Sequence, residues 1–283
     1  MANVKVLEVF KSLQGEGIYV GVPSIFIRFF GCNFRCRKFG RAANEVIDGA
    51  NPEVAEIIKN IDQYTTLADL PLVKTGCDSY SSIYPEFKHF AKDYTIDELV
   101  KEINSHVPVN TFRKQHHIIL TGGEPMLRQK IFPSLFEHAD MQNSYNNVTI
   151  ETNGTQPMSN ELSEFIRYNH NITFTFSVSA KLSNSGEPRE KAIQPHVVSD
   201  YCMHGTTYLK FVVTNNKHVS EALDTIELYK KAGFNGPVYL MPEGGTTDTN
   251  VLTAPTVAKL ALQCGLRYSP RIQVDLFKNE WGT

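Results

Sequence analysis

His117-Ile118-Ile119-Leu120-Thr121-Gly122-Gly123-Glu124-Pro125 is a short apolar run that stops in a glycine pair, a carboxylate and a proline. An apolar run this short, bounded by turn residues, reads as a buried strand, and residues 128–139 after it read as a helix. The same unit recurs outward from it. Downstream, a strand at 148–150 ends in Glu151-Thr152-Asn153-Gly154-Thr155, and a helix follows over 161–168. A strand at 172–178 ends in Ser179-Ala180-Lys181, and one at 208–213 precedes a helix at 219–232 closed by Gly233. Residues 237–240 form a strand ending in the turn Met241-Pro242-Glu243-Gly244. A last helix puts Val257, Leu260, Ala261 and Cys264 on one face before Gly265, and 272–277 reads as the closing strand. Upstream, 4–10 is a first strand entering Ser12-Leu13-Gln14-Gly15-Glu16-Gly17, and 24–30 a second strand entering Gly31-Cys32. Strands alternating with helices predict an α/β fold with a parallel sheet, closed or nearly closed into a barrel. Such barrels build their sites from the clusters at the carboxyl ends of the strands. No repeat of fixed period and no linker divides the chain, so one domain over 1–283 is expected.

Composition narrows the class. The chain has 283 residues, enough for a sizeable core, with 41% hydrophobic and 20% charged residues. Its 28 basic and 30 acidic residues leave a net charge of −2, which argues against a general nucleic-acid footprint. No apolar run approaches the ~20 residues of a membrane span and no signal segment precedes the first strand, so a cytoplasmic protein is expected. In a reducing compartment its five cysteines point to a metal or redox site rather than a disulfide framework.

The cysteine pair of Gly31-Cys32-Asn33-Phe34-Arg35-Cys36 sits on a loop after a strand, placed to hold a metal. A third ligand is needed, and Phe39 stands where a C-x3-C-x2-C pattern would have its last cysteine. Cys77, Cys202 and Cys264 remain; Cys264 lies on an apolar helical face and Cys202 has no metal-like neighbours. Between Cys36 and Cys77 the chain makes a helical excursion. Asn51-Pro52 is a cap followed by proline at the first helical position, and Val54, Ile57, Ile58 and Ile61 form a core-facing stripe. Thr95-Ile96-Asp97-Glu98 is a capping box. Arg28, among apolar residues, is either surface-facing or forked against a carboxylate at the barrel mouth. A structural zinc site is a further reading of the cysteines, with His89 as a fourth ligand.

Five motifs taken together carry a specific resemblance. The chain resembles the radical S-adenosylmethionine superfamily through Gly31-Cys32-x3-Cys36 and Thr121-Gly122-Gly123-Glu124-Pro125. Leu13-Gln14-Gly15-Glu16-Gly17, Arg28, Glu151-Thr152-Asn153-Gly154-Thr155 and Met241-Pro242-Glu243-Gly244 make it similar to the 7-carboxy-7-deazaguanine synthase family of queuosine and deazapurine biosynthesis. The likeness runs from residue 4 to the C-terminus, interrupted mainly between Cys36 and Cys77. It implies a partial (β/α) barrel of the radical S-adenosylmethionine type, with residues 37–76 inserted in the cluster loop. It also implies conversion of 6-carboxy-5,6,7,8-tetrahydropterin to 7-carboxy-7-deazaguanine with release of ammonia. The required cofactors would be a [4Fe–4S] cluster, S-adenosyl-L-methionine and Mg2+, and the radical would be a 5′-deoxyadenosyl radical.

The resemblance carries over residue by residue. The family's third cysteine is typically followed by Asp-Thr, and Cys77-Asp78-Ser79 matches that position, so Cys32, Cys36 and Cys77 would hold the cluster. Ser79 would take the place of a magnesium-ligating threonine, keeping the oxygen that a hard cation requires. Gly76, Asp78, Gly122, Gly123, Glu124, Ser179, Lys181, Met241, Pro242 and Glu243 would bind S-adenosylmethionine. Leu13, Gln14, Gly15, Glu16, Arg28, Thr121 and the terminal Thr283 would face the substrate, with Arg28 on its carboxylate and Gln14 and Glu16 on the aminopyrimidinone edge. Ser179-Ala180-Lys181 replaces a usual Ser-Pro-Lys. Expected partners are an electron donor such as flavodoxin or ferredoxin and a second copy of the chain in a homodimer. A radical activase acting on a protein shares the cysteine loop and the Gly-Gly-Glu-Pro turn, but the Leu13–Gly17 motif and Arg28 favour a small carboxylated substrate.

Overall fold

The computed structural model describes residues 3–283. Nine strands form one sheet: β1 (Val4–Leu13), β2 (Pro23–Phe29), β3 (Lys92–Tyr94), β4 (His117–Gly122), β5 (Asn147–Thr152), β6 (Thr173–Ser179), β7 (Thr206–Val213), β8 (Val238–Pro242) and β9 (Arg267–Tyr268). Their order is β3-β1-β2-β4-β5-β6-β7-β8-β9. From β2 through β9 every neighbouring pair is parallel, whereas β1 lies antiparallel between β2 and β3. The sheet is open, with β3 and β9 at its edges. This is the expected partial barrel.

The helices are α1 (Pro52–Lys59), α2 (Ile96–Ser105), α3 (Asn110–Arg113), α4 (Phe132–Glu137) and α5 (Asn160–Tyr168). There follow α6 (Arg189–Ala192), α7 (Pro195–His204), α8 (Asn216–Lys231), α9 (Thr247–Cys264) and α10 (Ile272–Phe277). Their apolar stripes cover the convex side of the sheet. Leu99 and Ile103, Leu162 and Phe165, Val219 and Ile226, and Val257 and Leu260 join Ile27, Leu120, Ile150, Phe176 and Leu209 in one core.

Side chains alternate along a strand, so the residues between those core positions face the concave side. They are largely polar: Arg28 on β2, Thr121 on β4, Glu151 on β5, Ser177 and Ser179 on β6, and Lys210 on β7. The parallel register sets Arg28 beside Thr121, Glu151 beside Ser177 and Ser179 beside Lys210. Stacked Phe10 and Phe26, with Ile119, make a small apolar floor beneath them.

Three local expectations change. Residues 272–277 are α10 rather than a closing strand, and the last strand is the two-residue β9. Pro270 has no N–H to extend the ladder, and the amides of Val274 and Asp275 turn back onto the Arg271 carbonyl. The helix expected over 128–139 begins as a 3-10 turn, Pro125–Ile131, and becomes α-helical at Phe132, where proline occupies the first turn. Met241 and Pro242 belong to β8, so the turn starts one step later.

The segment 37–76 is a folded excursion. Asn51 caps α1 through its side-chain oxygen, 3.0 Å from the Glu53 N–H, and its amide nitrogen reaches the Arg37 carbonyl at 2.9 Å and the Thr75 hydroxyl at 3.1 Å. One buried side chain thus pins both ends of the excursion. Val54 and Ile57 of α1, with Leu70 and Val73, pack against Tyr80, Ile83, Tyr84 and Phe87 as a second apolar cluster beside Trp281.

Candidate active site

The cluster loop leaves β2 through Gly31, whose N–H donates to the Ser82 carbonyl at 2.7 Å. Glu187 holds its far end, accepting the N–H groups of Arg35 at 2.8 Å and Cys36 at 2.7 Å. Cys36 itself has φ of 47°, a left-handed conformation unusual for a residue other than glycine. At the end of the excursion the Gly76 N–H donates to the Phe39 carbonyl at 2.7 Å. Phe39 occupies the position where the unbroken motif would have its third cysteine. The chain therefore returns Cys77 to the neighbourhood from which it departed, after 37 intervening residues have been looped out.

Cys32, Cys36 and Cys77 line one cavity, while Cys202 and Cys264 pack against the core elsewhere. Burial pushes the Cys32 thiol up to about 11 and the Cys77 thiol up to about 12, and raises Cys36 well above the ordinary range. The Lys181 cation opposes this at all three sulfurs. Three thiols, Cys36 buried and Cys32 and Cys77 half-buried, with a nearby cation and an open cavity face suit a soft, multi-iron group better than one hard ion. His89 is exposed, bonded to the Glu86 carbonyl and packed on Phe90, and it does not line this cavity. Among the described residues no group of three or more His, Cys, Asp or Glu is gathered around a point fit for a metal ion, so the alternative zinc site is not assembled, and Cys32, Cys36 and Cys77 share the cavity without converging on one point.

The Gly-Gly-Glu-Pro turn lies against the cluster loop. A Cβ on Gly123 would stand 2.3 Å from the Gly31 carbonyl oxygen and 2.9 Å from the Cys32 Cβ, so glycine is required by the protein backbone itself. Glu124 is wholly buried and does not face the cavity. Its Oε1 accepts the Met126 N–H at 3.0 Å and the Thr152 hydroxyl at 2.7 Å, and its Oε2 accepts the Asn153 N–H at 2.7 Å. Burial raises its carboxyl to about 6 despite those three donors. The side chain is thereby committed to joining the ends of β4 and β5.

Across the cavity stands a polar wall. Arg28 donates from Nε to Glu8 at 2.7 Å and from Nη1 to the Ser79 hydroxyl at 2.9 Å, which is the forked arrangement rather than a surface one. Glu151 accepts from Gln14 at 3.1 Å and from Thr121 at 2.8 Å. Glu16 accepts from Lys210 at 2.7 Å, Gln273 at 2.9 Å and Arg271 at 3.3 Å. Burial alone would raise the Glu16 carboxyl, but the Lys210 and Arg271 charges outweigh it and bring it down to about 2. Lys181 bonds Ser179 at 3.0 Å, and Glu243 is shared between the Gly40 N–H and Asn184.

Of the residues assigned by the resemblance to the cluster, S-adenosylmethionine, magnesium or the substrate, all but Glu124 line this one cavity, Thr283 included. The terminal segment is anchored by Trp281, whose indole donates to the Leu70 carbonyl at 2.9 Å and packs edge-on against Tyr80. Sequence reading missed Lys210, Arg271 and Gln273. Lys210 did leave a signal, a lone charge in the apolar run of β7. Arg271 and Gln273 left none: 272–277 reads as a closing strand, and Arg271 stands just before it.

No protein-family model matches the chain. It is 26% identical to the 7-carboxy-7-deazaguanine synthase of Pyrobaculum aerophilum over 281 residues, covering 99% of this chain and 97% of that protein. It is 28% identical to the enzyme of the same name from Halobacterium salinarum, covering 96% and 90%. The crystal structure of QueE from Escherichia coli superposes with a TM-score of 0.53 at 22% identity, covering 94% of this chain and 93% of that one. At that identity the structural likeness speaks for the fold. Motifs, fold and similarity along almost the full length agree: the chain is a homologue of the 7-carboxy-7-deazaguanine synthases.

Proposed function

We propose that the protein is a radical S-adenosylmethionine enzyme that converts 6-carboxy-5,6,7,8-tetrahydropterin to 7-carboxy-7-deazaguanine and releases ammonia. The observation that carries this reading is the meeting, in one cavity, of three of the five cysteines with the Gln14, Glu16 and Arg28 wall. Cys32, Cys36 and Cys77 would hold the cluster, which when bound supplies the electron and an open iron for S-adenosylmethionine.

This chain's own residues do the rest. Gly122 and Gly123, which pack too closely on Phe29 and Gly31 to carry side chains, would run their backbone past the cofactor, with Gly76, Asp78, Ser179, Lys181, Met241, Pro242 and Glu243 lining the same cavity. Arg28 offers a guanidinium to the substrate carboxylate, Ser79 a hydroxyl to magnesium, and these two already touch. Gln14, Glu16 and Thr121 meet the amino-pyrimidinone, with Leu13 and Gly15 shaping the wall and Thr283 closing it. Glu16 stays ionised at neutral pH, so it serves as a hydrogen-bond acceptor rather than an acid. The enclosure keeps a reactive intermediate from solvent.

The reading treats 1–283 as one domain with 37–76 inserted, drawing electrons from a flavodoxin or ferredoxin and acting as a cytoplasmic homodimer. No helix among the described residues is long and apolar enough to cross a membrane. The test is anaerobic reconstitution of wild type, Cys77→Ala and Cys264→Ala, with iron content and mass spectrometry for carboxydeazaguanine. Wild type and Cys264→Ala should yield product, and Cys77→Ala should lose both iron and product. Product from Cys77→Ala would remove that cysteine from the ligand set. An intact cluster that cleaves S-adenosylmethionine without forming product would replace the substrate.

A further inference from the structure

Arg271 lies at the junction of three parts of the site that are far apart in sequence. It is 6% exposed. Its Nε donates to Glu16 at 3.3 Å, its Nη1 to the Gly244 carbonyl and its Nη2 to Asp78. Glu16 belongs to the substrate wall, Asp78 follows the cysteine that closes the cluster loop, and Gly244 ends the strand-end turn after β8. Every one of these partners faces the same cavity. The planar fork lets one side chain donate in three directions at fixed angles, which the single nitrogen of lysine does not do.

The two neighbours of Arg271 on Glu16 do not make the same link. Lys210 binds only Glu16 among the acidic side chains, at 2.7 Å, and Gln273 donates to Glu16 from α10. Arg271 alone spans from Glu16 to the loop of Asp78. Without it, the largely buried Glu16 would keep only Lys210 and Gln273, and the part-exposed Asp78, 62 residues further along the chain, would lose its cationic partner.

We propose that Arg271 is a positioning residue that locks the substrate wall to the cluster loop, so that pterin binding and S-adenosylmethionine cleavage occur in register. This rests on the function proposed above. The guanidinium does not touch the reacting atoms; it fixes the orientation of Glu16 and, through Asp78, the place of the loop that brings Cys77 and Ser79 to the cavity.

The test uses the cluster-loaded full chain as wild type, Arg271→Lys and Arg271→Met. Steady-state kinetics in carboxytetrahydropterin is paired with the ratio of 5′-deoxyadenosine released to carboxydeazaguanine formed. Arg271→Met should raise KM for the pterin by about tenfold or more and raise that ratio, with iron content retained. Arg271→Lys, which keeps the charge but loses the fork, should show the same changes to a smaller degree. A fall in kcat with KM and ratio unchanged would overturn the proposal, as would full rescue by lysine. Hydrogen exchange separates this from failure of the functional reading. In Arg271→Met both 14–17 and 76–80 should exchange faster even if no protein in the series makes product. Protection unchanged in either segment would also overturn the link.

Discussion

Glu124 keeps its side chain inside the protein rather than in the cavity. From sequence it stands beside two glycines and invites a ligand role. In the fold its carboxylate is saturated by three donors from its own turn and from the end of β5. A carboxylate with two accepting oxygens is the side chain that fits, because the amide of glutamine would set one N–H against another. Glu124→Gln should therefore lower stability at pH 7 by about 1–3 kcal/mol, read by urea unfolding. An unchanged midpoint would mean that the three bonds contribute little. Arg28 shows the opposite case: its composition context left surface and mouth open, and Glu8 and Ser79 decide for the mouth.

At the scale of elements, the excursion 37–76 was legible in its helix and not in its closure. The cap, the proline and the apolar stripe of α1 are local, and they appear as read except that α1 ends at Lys59 and Ile61 follows in a short 3-10 turn. What brings Cys77 back beside Phe39 is the Asn51 side chain and the Gly76–Phe39 backbone bond, which join residues that no short-range pattern connects. Asn51→Ala removes a cap and leaves the Arg37 carbonyl without this buried partner, a loss of about 2 kcal/mol confined to the excursion. We expect earlier proteolytic cleavage within 37–76 and a lower iron content after reconstitution. Cleavage and iron equal to wild type would show that α1 holds the loop without its cap. The end of the chain gives the complementary lesson. Ile272, Val274 and Leu276 alternate as in a strand, yet Pro270 breaks the ladder and Leu276 is exposed on α10.

For the whole molecule, the charges in the cavity tie β1, β7 and the C-terminal segment together, since Glu16 takes Lys210 from one and Arg271 and Gln273 from the other. The Glu16 carboxyl is depressed from its ordinary 4.5 to about 2, so its contribution is present above the ordinary value and lost as pH falls through the depressed one. Between those limits the unfolded chain takes up a proton that the folded one refuses, and stability declines by on the order of 3 kcal/mol. Chemical unfolding followed over that range should show this decline in wild type and lack it in Glu16→Gln. Parallel curves for the two proteins would assign the acid sensitivity to other groups.

The sequence by itself determined the strand and helix alternation, the α/β class with its parallel sheet and the cysteine pair, because these follow from local periodicity and turn chemistry, while the family resemblance pointed to many of the residues that line the cavity. Tertiary structure alone decided which distant side chains complete the wall. Glu124 turns inward because β4 and β5 end side by side, and Cys77 faces the same cavity as Cys32 and Cys36 because a folded excursion closes on itself. Arg271 reaches Glu16 and Asp78 because the chain bends after β9. Each of these depends on contacts between segments whose separation along the chain carries no pattern, and only packing brings them within hydrogen-bond distance.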